Sequence, residues 1–259
     1  MAGLLDGRVA LVTGGESGIG AASAVALAQA GASVSILYFR DKGLADGVAA
    51  QVTAAGAKAT TVQADLGDEA QVAAAFAAVT QALGTPDLLV NSAGLNMSGT
   101  NVTDMELAQW DRLIRTDLTG AFLTSRALAR GLRDAKKPGR IINISSIHGQ
   151  AVRAGGADYC SAKAGLENLT RTMAIEVAPM GITVNAIAPG MILTPMNVRA
   201  ETDAGYRASL EHNIPIGRAG RADEVGAMVV YLCSDAAAYV TGAVLTIDGG
   251  LSLEAALGA

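Results

Sequence analysis

The chain has 259 residues, 51% hydrophobic and 17% charged, enough apolar material for one large α/β domain or two small ones and too much for a disordered chain. A net charge of −5 and only 3% aromatic residues argue against nucleic acid or an anionic membrane as partner, since both call for basic surfaces and single strands also for stacking rings. No apolar run reaches the length of about 18 residues needed to span a bilayer, MAGLLDGRVALVTGG lacks the pattern of a secretory leader, and Cys160 and Cys233 have neither disulfide nor metal-ligand spacing, so the expected compartment is the cytoplasm.

Arg8 to Thr13 (RVALVT) reads as a strand. It runs into the glycine-rich turn GGESGIG at 14–20, a small-residue helix over Ala21 to Ala30 closed by Gly31, and a second strand over Val34 to Tyr38. Strand, turn, helix and strand in this order form the context a dinucleotide-binding fingerprint requires, here as T-G-x-x-x-G-x-G. Glycines let the backbone approach a pyrophosphate, and a helix N-terminus offers it free N–H groups. An ordinary βα turn is the competing reading.

Asp41 to Ala55 is a helical pattern, Lys58 to Ala64 a strand, and Asp68 to Leu83 a helix with an acidic first turn. Asp87 to Val90 is a fourth strand ending in Asn91-Ser92-Ala93-Gly94. Asp104 to Arg133 reads as one long helix, interrupted in pattern only by Gly120 and Gly131. Arg140 to Ser145 is a fifth strand, Asp158 to Val177 a helix, and Ile182 to Ile187 a sixth strand broken by Ala188-Pro189-Gly190. Met191 to Arg221 is irregular and follows a strand end, the place for a substrate lid. A helix over Ala222 to Cys233 and a strand within Val240 to Asp248 complete the pattern. With no repeat or linker, residues 1–259 form a single α/β domain of about seven parallel strands.

The loop after the fifth strand places Ser146 ahead of Tyr159 and Lys163. On a helix, Tyr159 and Lys163 lie one turn apart on the same face. A phenol has a reference pKa of about 10, and a neighbouring cation favours its ionised form, so Tyr159 can serve as general acid or base. Alone, Y-x-x-x-K reads equally well as a surface pair.

TGGESGIG at 13–20, Asp65-Leu66, NSAG at 91–94, Ser146 with Tyr159 and Lys163, and APG at 188–190 followed by Thr194 occur in one chain in this order. Together they resemble the short-chain dehydrogenase/reductase family over nearly the whole length. The resemblance implies a Rossmann-type, doubly wound seven-stranded parallel sheet and a nicotinamide cofactor. It implies Tyr159 as general acid/base, Ser146 as the hydroxyl on the substrate oxygen, and Lys163 as the ribose ligand that lowers the tyrosine pKa. Gly14, Gly18 and Gly20, with Ser17 and Ile19, would form the pyrophosphate turn. Asp65 and Leu66 would meet the adenine, and Asn91 the adenosine ribose. Ala93, Gly94, Pro189, Gly190, Ile192 and Thr194 would complete the cofactor contacts, Thr194 at the carboxamide.

Two positions depart from the family. Ser92 stands where a second Asn is common, a mild change. Asp117 stands in TDLTG where the family has a catalytic Asn, and a buried carboxylate there would couple to Tyr159 and Lys163. Asp117→Asn is expected to keep activity within about tenfold. At the end of the second strand, Tyr38 occupies the usual place of an acidic ribose ligand, and Arg40 is available to a 2′-phosphate, so NADP(H) is favoured with NAD(H) also admitted. Glu16 opposes that phosphate. The runs ISSIH, YCSAK and DLTGAFLTSRALA resemble the bacterial glucose 1-dehydrogenase branch, which implies a sugar or polyol substrate, with Asn96 and His148 (as a donor) at its hydroxyls. The alternatives are a 3-oxoacyl-[acyl-carrier-protein] reductase, a general ketone reductase, or an idle NADP-binding regulator. The resemblance also implies a homotetramer.

Overall fold

The computed structural model describes residues 3–256; Met1, Ala2 and residues 257–259, the ends of the expected 1–259 domain and the first two residues of the expected leaderless start, lie outside the described residues. The elements are β1 (Val9–Thr13), α1 (Gly18–Gln29), β2 (Ser33–Tyr38), α2 (Lys42–Ala54), β3 (Ala59–Gln63), α3 (Glu69–Leu83), β4 (Leu88–Asn91), α4 (Leu107–Ile114), α5 (Gly120–Ala135), β5 (Gly139–Ile144), α6 (Ala157–Val177), β6 (Ile182–Pro189), β7 (Ile192–Leu193), α7 (Val198–Thr202), α8 (Ala204–Glu211), β8 (Gly220–Arg221), α9 (Ala222–Cys233) and β9 (Val244–Ile247).

Seven strands form one parallel sheet in the order β3-β2-β1-β4-β5-β6-β9. Alternate residues feed two cores. Ala10, Val12, Ile36, Val90 and Ile142 join one, against α1 and α9; Leu11, Leu37, Leu89 and Ile141 join the other, against α3, α5 and α6. A sheet covered on both faces needs apolar residues at every position, which is why its strands read as continuous apolar runs. Chain order reverses between β1 and β4, and the crevice beyond their C-terminal ends is where ligands bind in such sheets. Asp41 and Asp68 cap α2 and α3, accepting the Leu44 N–H and the Ala70 and Gln71 N–H groups.

Three stretches differ from the sequence reading. The long helix starts at Leu107 and is divided by a π turn over Arg115–Thr119, where Gly120 N–H reaches back to Arg115 O. The extra residue in that turn directs Asp117 inward. β6 continues through Ala188 and Pro189, because beyond Ile187 it pairs only with β9 and a missing N–H is tolerated on the side β5 no longer covers. The stretch 191–221 is ordered: β7 and β8 pair at its two ends, with α7 and α8 between them. Arg218 grips Glu224 with two bonds of 2.7 and 3.0 Å at its base, and this guanidinium, with the Arg221 N–H, holds the Glu224 carboxyl down at about 2.

Candidate active site

β1 brings Thr13 to the edge of the crevice, where its Oγ1 accepts the Ser92 and Ala93 N–H groups, each at 3.1 Å. The ends of β1 and β4 are thereby tied together. Gly14 and Gly18 follow at φ +59° and +53°. A Cβ on Gly14 would stand 2.7 Å from Ala93 Cα, so a side chain there would push the strand ends apart. Ser17 precedes α1 in an extended conformation and its hydroxyl makes no capping bond. The first N–H groups of α1 are thus left open toward the crevice, the arrangement that holds a phosphate.

A cavity of about 1090 Å³ fills the crevice. Gly14, Ser17, Gly18, Ile19, Tyr38 and Arg40 line one end, with Asp65 and Leu66 beside them. Ala93 and Thr194 adjoin Gly14 and Gly18 in the same wall, and Gly94, Pro189, Gly190, Ile192, Ser146, His148, Tyr159, Lys163 and Asn96 also face the space. Asp65 also accepts the Gly67 N–H at 2.8 Å and Asn96 the Met97 N–H at 2.8 Å, which orient both side chains.

The reacting corner is built by α6 and the turn after β5. Lys163 is buried, with Nζ 3.3 Å from Ile144 O and 5.3 Å from the centre of the Tyr159 ring. Ser146 Oγ accepts the His148 N–H at 3.2 Å, which leaves its own proton free to donate. Asp117 Oδ1 accepts the Leu95 N–H at 2.8 Å, and Oδ2 lies 3.1 Å from Lys163 Nζ. That second contact is off the line of a hydrogen bond, so Oδ2 has charge attraction but no bonded partner. Burial pushes the Asp117 carboxyl above its ordinary value, against the pull of Lys163 and the Leu95 N–H. Burial alone would lower the Lys163 ammonium, but Asp117 and Tyr159 outweigh it and hold it above the ordinary lysine value.

Three expected residues have other surroundings. Asn91 is turned into the protein, donating to Ser125 Oγ at 2.9 Å and Asn143 Oδ1 at 2.8 Å and accepting from Thr124 at 2.7 Å. Its side chain has no group left for a ribose, because the pairing of β4 with β5 sets it beside Asn143. Gly20 does not line the cavity; a Cβ there would collide with the Gly14 carbonyl oxygen, so it serves the close packing of α1 beneath the turn. Asp117, expected among the catalytic residues, also stays outside the cavity and touches Lys163 instead. Conversely, Arg153, Tyr206 and the buried Asp158 surround the site without having been expected. Asp158 alone carried a signal, as the acidic residue immediately before Tyr159 in the first turn of α6.

A family model described as enoyl-(acyl carrier protein) reductase matches residues 14–252. The chain belongs to the short-chain dehydrogenase/reductase family. This short-chain dehydrogenase/reductase is 42% identical over 243 residues to cis-4-hydroxycyclohexanecarboxylate dehydrogenase of Sinomonas cyclohexanicum, covering 94% of this chain and 96% of the relative. It is 36% identical over 249 residues to glucose 1-dehydrogenase 2 of Bacillus subtilis strain 168, covering 96% of each. It superposes with a TM-score of 0.87, at 35% identity, on an NADP-bound crystal structure of an Agrobacterium tumefaciens protein provisionally called a 2-deoxy-D-gluconate 3-dehydrogenase, over 95% of this chain and 97% of that one. The enzyme is therefore an oxidoreductase acting on hydroxyl and carbonyl groups, in a family that uses NAD(P). Its own residues fit such a cofactor: the uncapped start of α1 and the side-chain-free Gly14 and Gly18 leave room and donors for a pyrophosphate. Among the described residues no helix is long and apolar enough to cross a membrane.

Proposed function

We propose that this enzyme interconverts a small secondary alcohol and its carbonyl, on a substrate bearing a further hydroxyl such as a sugar or polyol, with NADP(H) favoured and NAD(H) also used. His148 carries the substrate reading. Its Nδ1 lies 2.7 Å from Ala151 O. A carbonyl only accepts, so Nδ1 bears the proton, and in the neutral ring Nε2 is left as an acceptor. The ring stands edge-on to Tyr159, centroids 6.3 Å apart, in the wall of the same cavity. An acceptor beside the reacting corner suits a substrate hydroxyl, which donates. In this reading His148 acts as an acceptor, where the sequence suggested a donor.

In this reading Tyr159 gives its proton to the carbonyl oxygen during reduction and takes it back during oxidation. Ser146 donates to the same oxygen and stabilises the charge that develops there. A bound nicotinamide would supply or accept the hydride. Lys163 would hold its ribose, and Gly14, Ser17, Gly18 and Ile19 would hold the pyrophosphate. Asp65 and Leu66 would flank the adenine. Ala93, Gly94, Pro189, Gly190, Ile192 and Thr194 wall the nicotinamide end. The ordered excursion 191–221 acts as the lid, supported by Met196, Asn197 and Tyr206 in the cavity wall. The enzyme works as a cytoplasmic homotetramer; exposed Phe122 and Ile175 on the long helices α5 and α6 support burial between subunits.

For the cofactor, Arg40 is exposed at the cavity, its guanidinium 5.0 Å over the Phe39 ring, and is free to meet a 2′-phosphate. Glu16 has a buried, unbonded Oε2 in the same wall and limits that preference. The reading is tested by kcat/KM for NADPH and NADH across sugars, polyols, simple ketones and a 3-oxoacyl thioester. Arg40→Gln is expected to lower the NADPH/NADH ratio at least about tenfold, the value of one charge-assisted bond. A strong NADH preference in the parent enzyme removes the Arg40 assignment, and best activity on the thioester removes the polyol.

His148→Leu is expected to raise KM for polyhydroxylated substrates by about tenfold, the loss of one hydrogen bond, and to leave a simple cyclic alcohol within about twofold. Equal losses on both classes would show that His148 does not read the extra hydroxyl.

A further inference from the structure

Lys163 is the one buried lysine of this corner, and a carboxylate lies 3.1 Å from its ammonium. Both members of the pair are almost wholly enclosed, Asp117 at 1% and Lys163 at 5% exposure. An ammonium so buried tends to lose its proton unless an opposite charge stands close by. Asp117 is delivered to that place by the π turn and clamped by the Leu95 N–H. Gly94 makes the approach feasible: a Cβ there would stand 2.8 Å from Asp117 Oδ2 and 3.4 Å from Lys163 Nζ.

The other charges around the corner are engaged or distant from the ammonium. On α6, Glu167 takes Ser145, Gln150 and Arg171. Arg115 of the π turn donates to Gly67 O. On α5 Arg126 pairs with Glu69 and Arg133 with Asp134, and on β5 Arg140 pairs with Asp235. Asp111 and Arg112 of α4, with Arg153, face the cavity. His148 meets the Tyr159 ring edge-on, and β6 carries no charge. Asp158 is fully buried in the first turn of α6, binds the Tyr159 N–H at 2.8 Å, and repels the charge on Asp117.

We propose that Asp117 is a positioning residue whose carboxylate keeps the Lys163 ammonium charged and stationed beside Tyr159. The inference rests on the reading of Tyr159 and Lys163 as the reacting corner. It depends on the side-chain charge, which an asparagine at this position does not carry. Removing a negative charge lowers the proton affinity of every group that faces it.

The test uses the full-length protein without cofactor, labelled with ¹³C at lysine Cε. The chain has only five lysines, so each signal can be followed with pH and that of Lys163 is identified by its loss in Lys163→Met. In Asp117→Asn the titration midpoint of Lys163 is expected to fall by about one pH unit, a tenfold loss of proton affinity. The alkaline limb of the kcat/KM profile is expected to move the same way, with kcat at the optimum within about tenfold of the parent. Gly94→Ala wedges the pair apart with all charges intact and is expected to lower the same midpoint, which keeps the test available if Asp117→Asn fails to fold. A fall of less than about half a unit in the folded variant, or a rise, overturns the proposal. Full activity in Tyr159→Phe would sink the underlying reading while leaving the lysine titration interpretable.

Discussion

Replacing Tyr159 by phenylalanine is expected to lower kcat about 1000-fold, close to 4 kcal/mol of transition-state stabilisation, while fold and cofactor affinity stay in place. The substitution removes one oxygen and keeps the ring. The edge-on contact with His148 and the 5.3 Å approach of Lys163 to the ring centre belong to the ring, so both survive. What disappears is the phenol hydroxyl, the group assigned to exchange a proton with the substrate oxygen. Ser146 remains as a donor, but among the described residues its Oγ has one hydrogen bond, accepted from the His148 backbone N–H, and none to a base that would take its proton. General acid–base catalysis alone accounts for between about 10² and 10⁴ in rate. The measurement is kcat beside a cofactor titration by nicotinamide fluorescence and a thermal melt. A kcat loss of less than about tenfold, with the melt unchanged, would mean that some other group moves the proton.

The parallel sheet was legible because its strands are covered on both faces. VALVT, LLVN and RIINI are mostly apolar runs, and helices between them carry their own caps, Asp41 and Asp68. Ser146, Tyr159 and Lys163 were singled out together by the family resemblance, and the α6 spacing sets Tyr159 and Lys163 on one face. What escaped depends on single hydrogen bonds or single extra residues. A π turn adds one residue to a helix without breaking its pattern, so the turn that aims Asp117 inward was not visible, although the TDLTG resemblance already set a buried carboxylate near Tyr159 and Lys163. The side chain of Asn91 is set by register against Asn143, a relation between strands more than fifty positions apart. The acceptor face of His148 follows from one bond to Ala151. The two-residue strands β7 and β8 are too short to show a period, which is why 191–221 read as irregular.

Gly20→Ala is expected to reduce cofactor affinity at least about 100-fold and to lower the melting temperature by roughly 5 °C. The added Cβ meets the Gly14 carbonyl oxygen, with Gly15 Cα 3.1 Å away, and both are backbone atoms with no flexible end to give. Either the turn or α1 must move. α1 cannot withdraw easily, because it packs on α9 so closely that a Cβ on Gly226 would already stand 3.1 Å from Ala22 O. The turn is therefore the part that yields. Gly14 is held against Ala93 and shares the strand end that Thr13 ties to β4, so its displacement opens the glycine turn. Overpacking of this kind costs about 1–3 kcal/mol in stability, and the lost cradle accounts for the larger effect on binding. Gly47→Ala on α2 is the matched control. No atom lies within 4 Å of its added Cβ, and alanine is the better helix former, so stability should hold or rise with cofactor affinity unchanged. If Gly20→Ala binds the cofactor within about threefold of the parent, the close contact between α1 and the turn is not what shapes the cradle, and phosphate recognition has to be assigned to the open N–H groups of α1 alone.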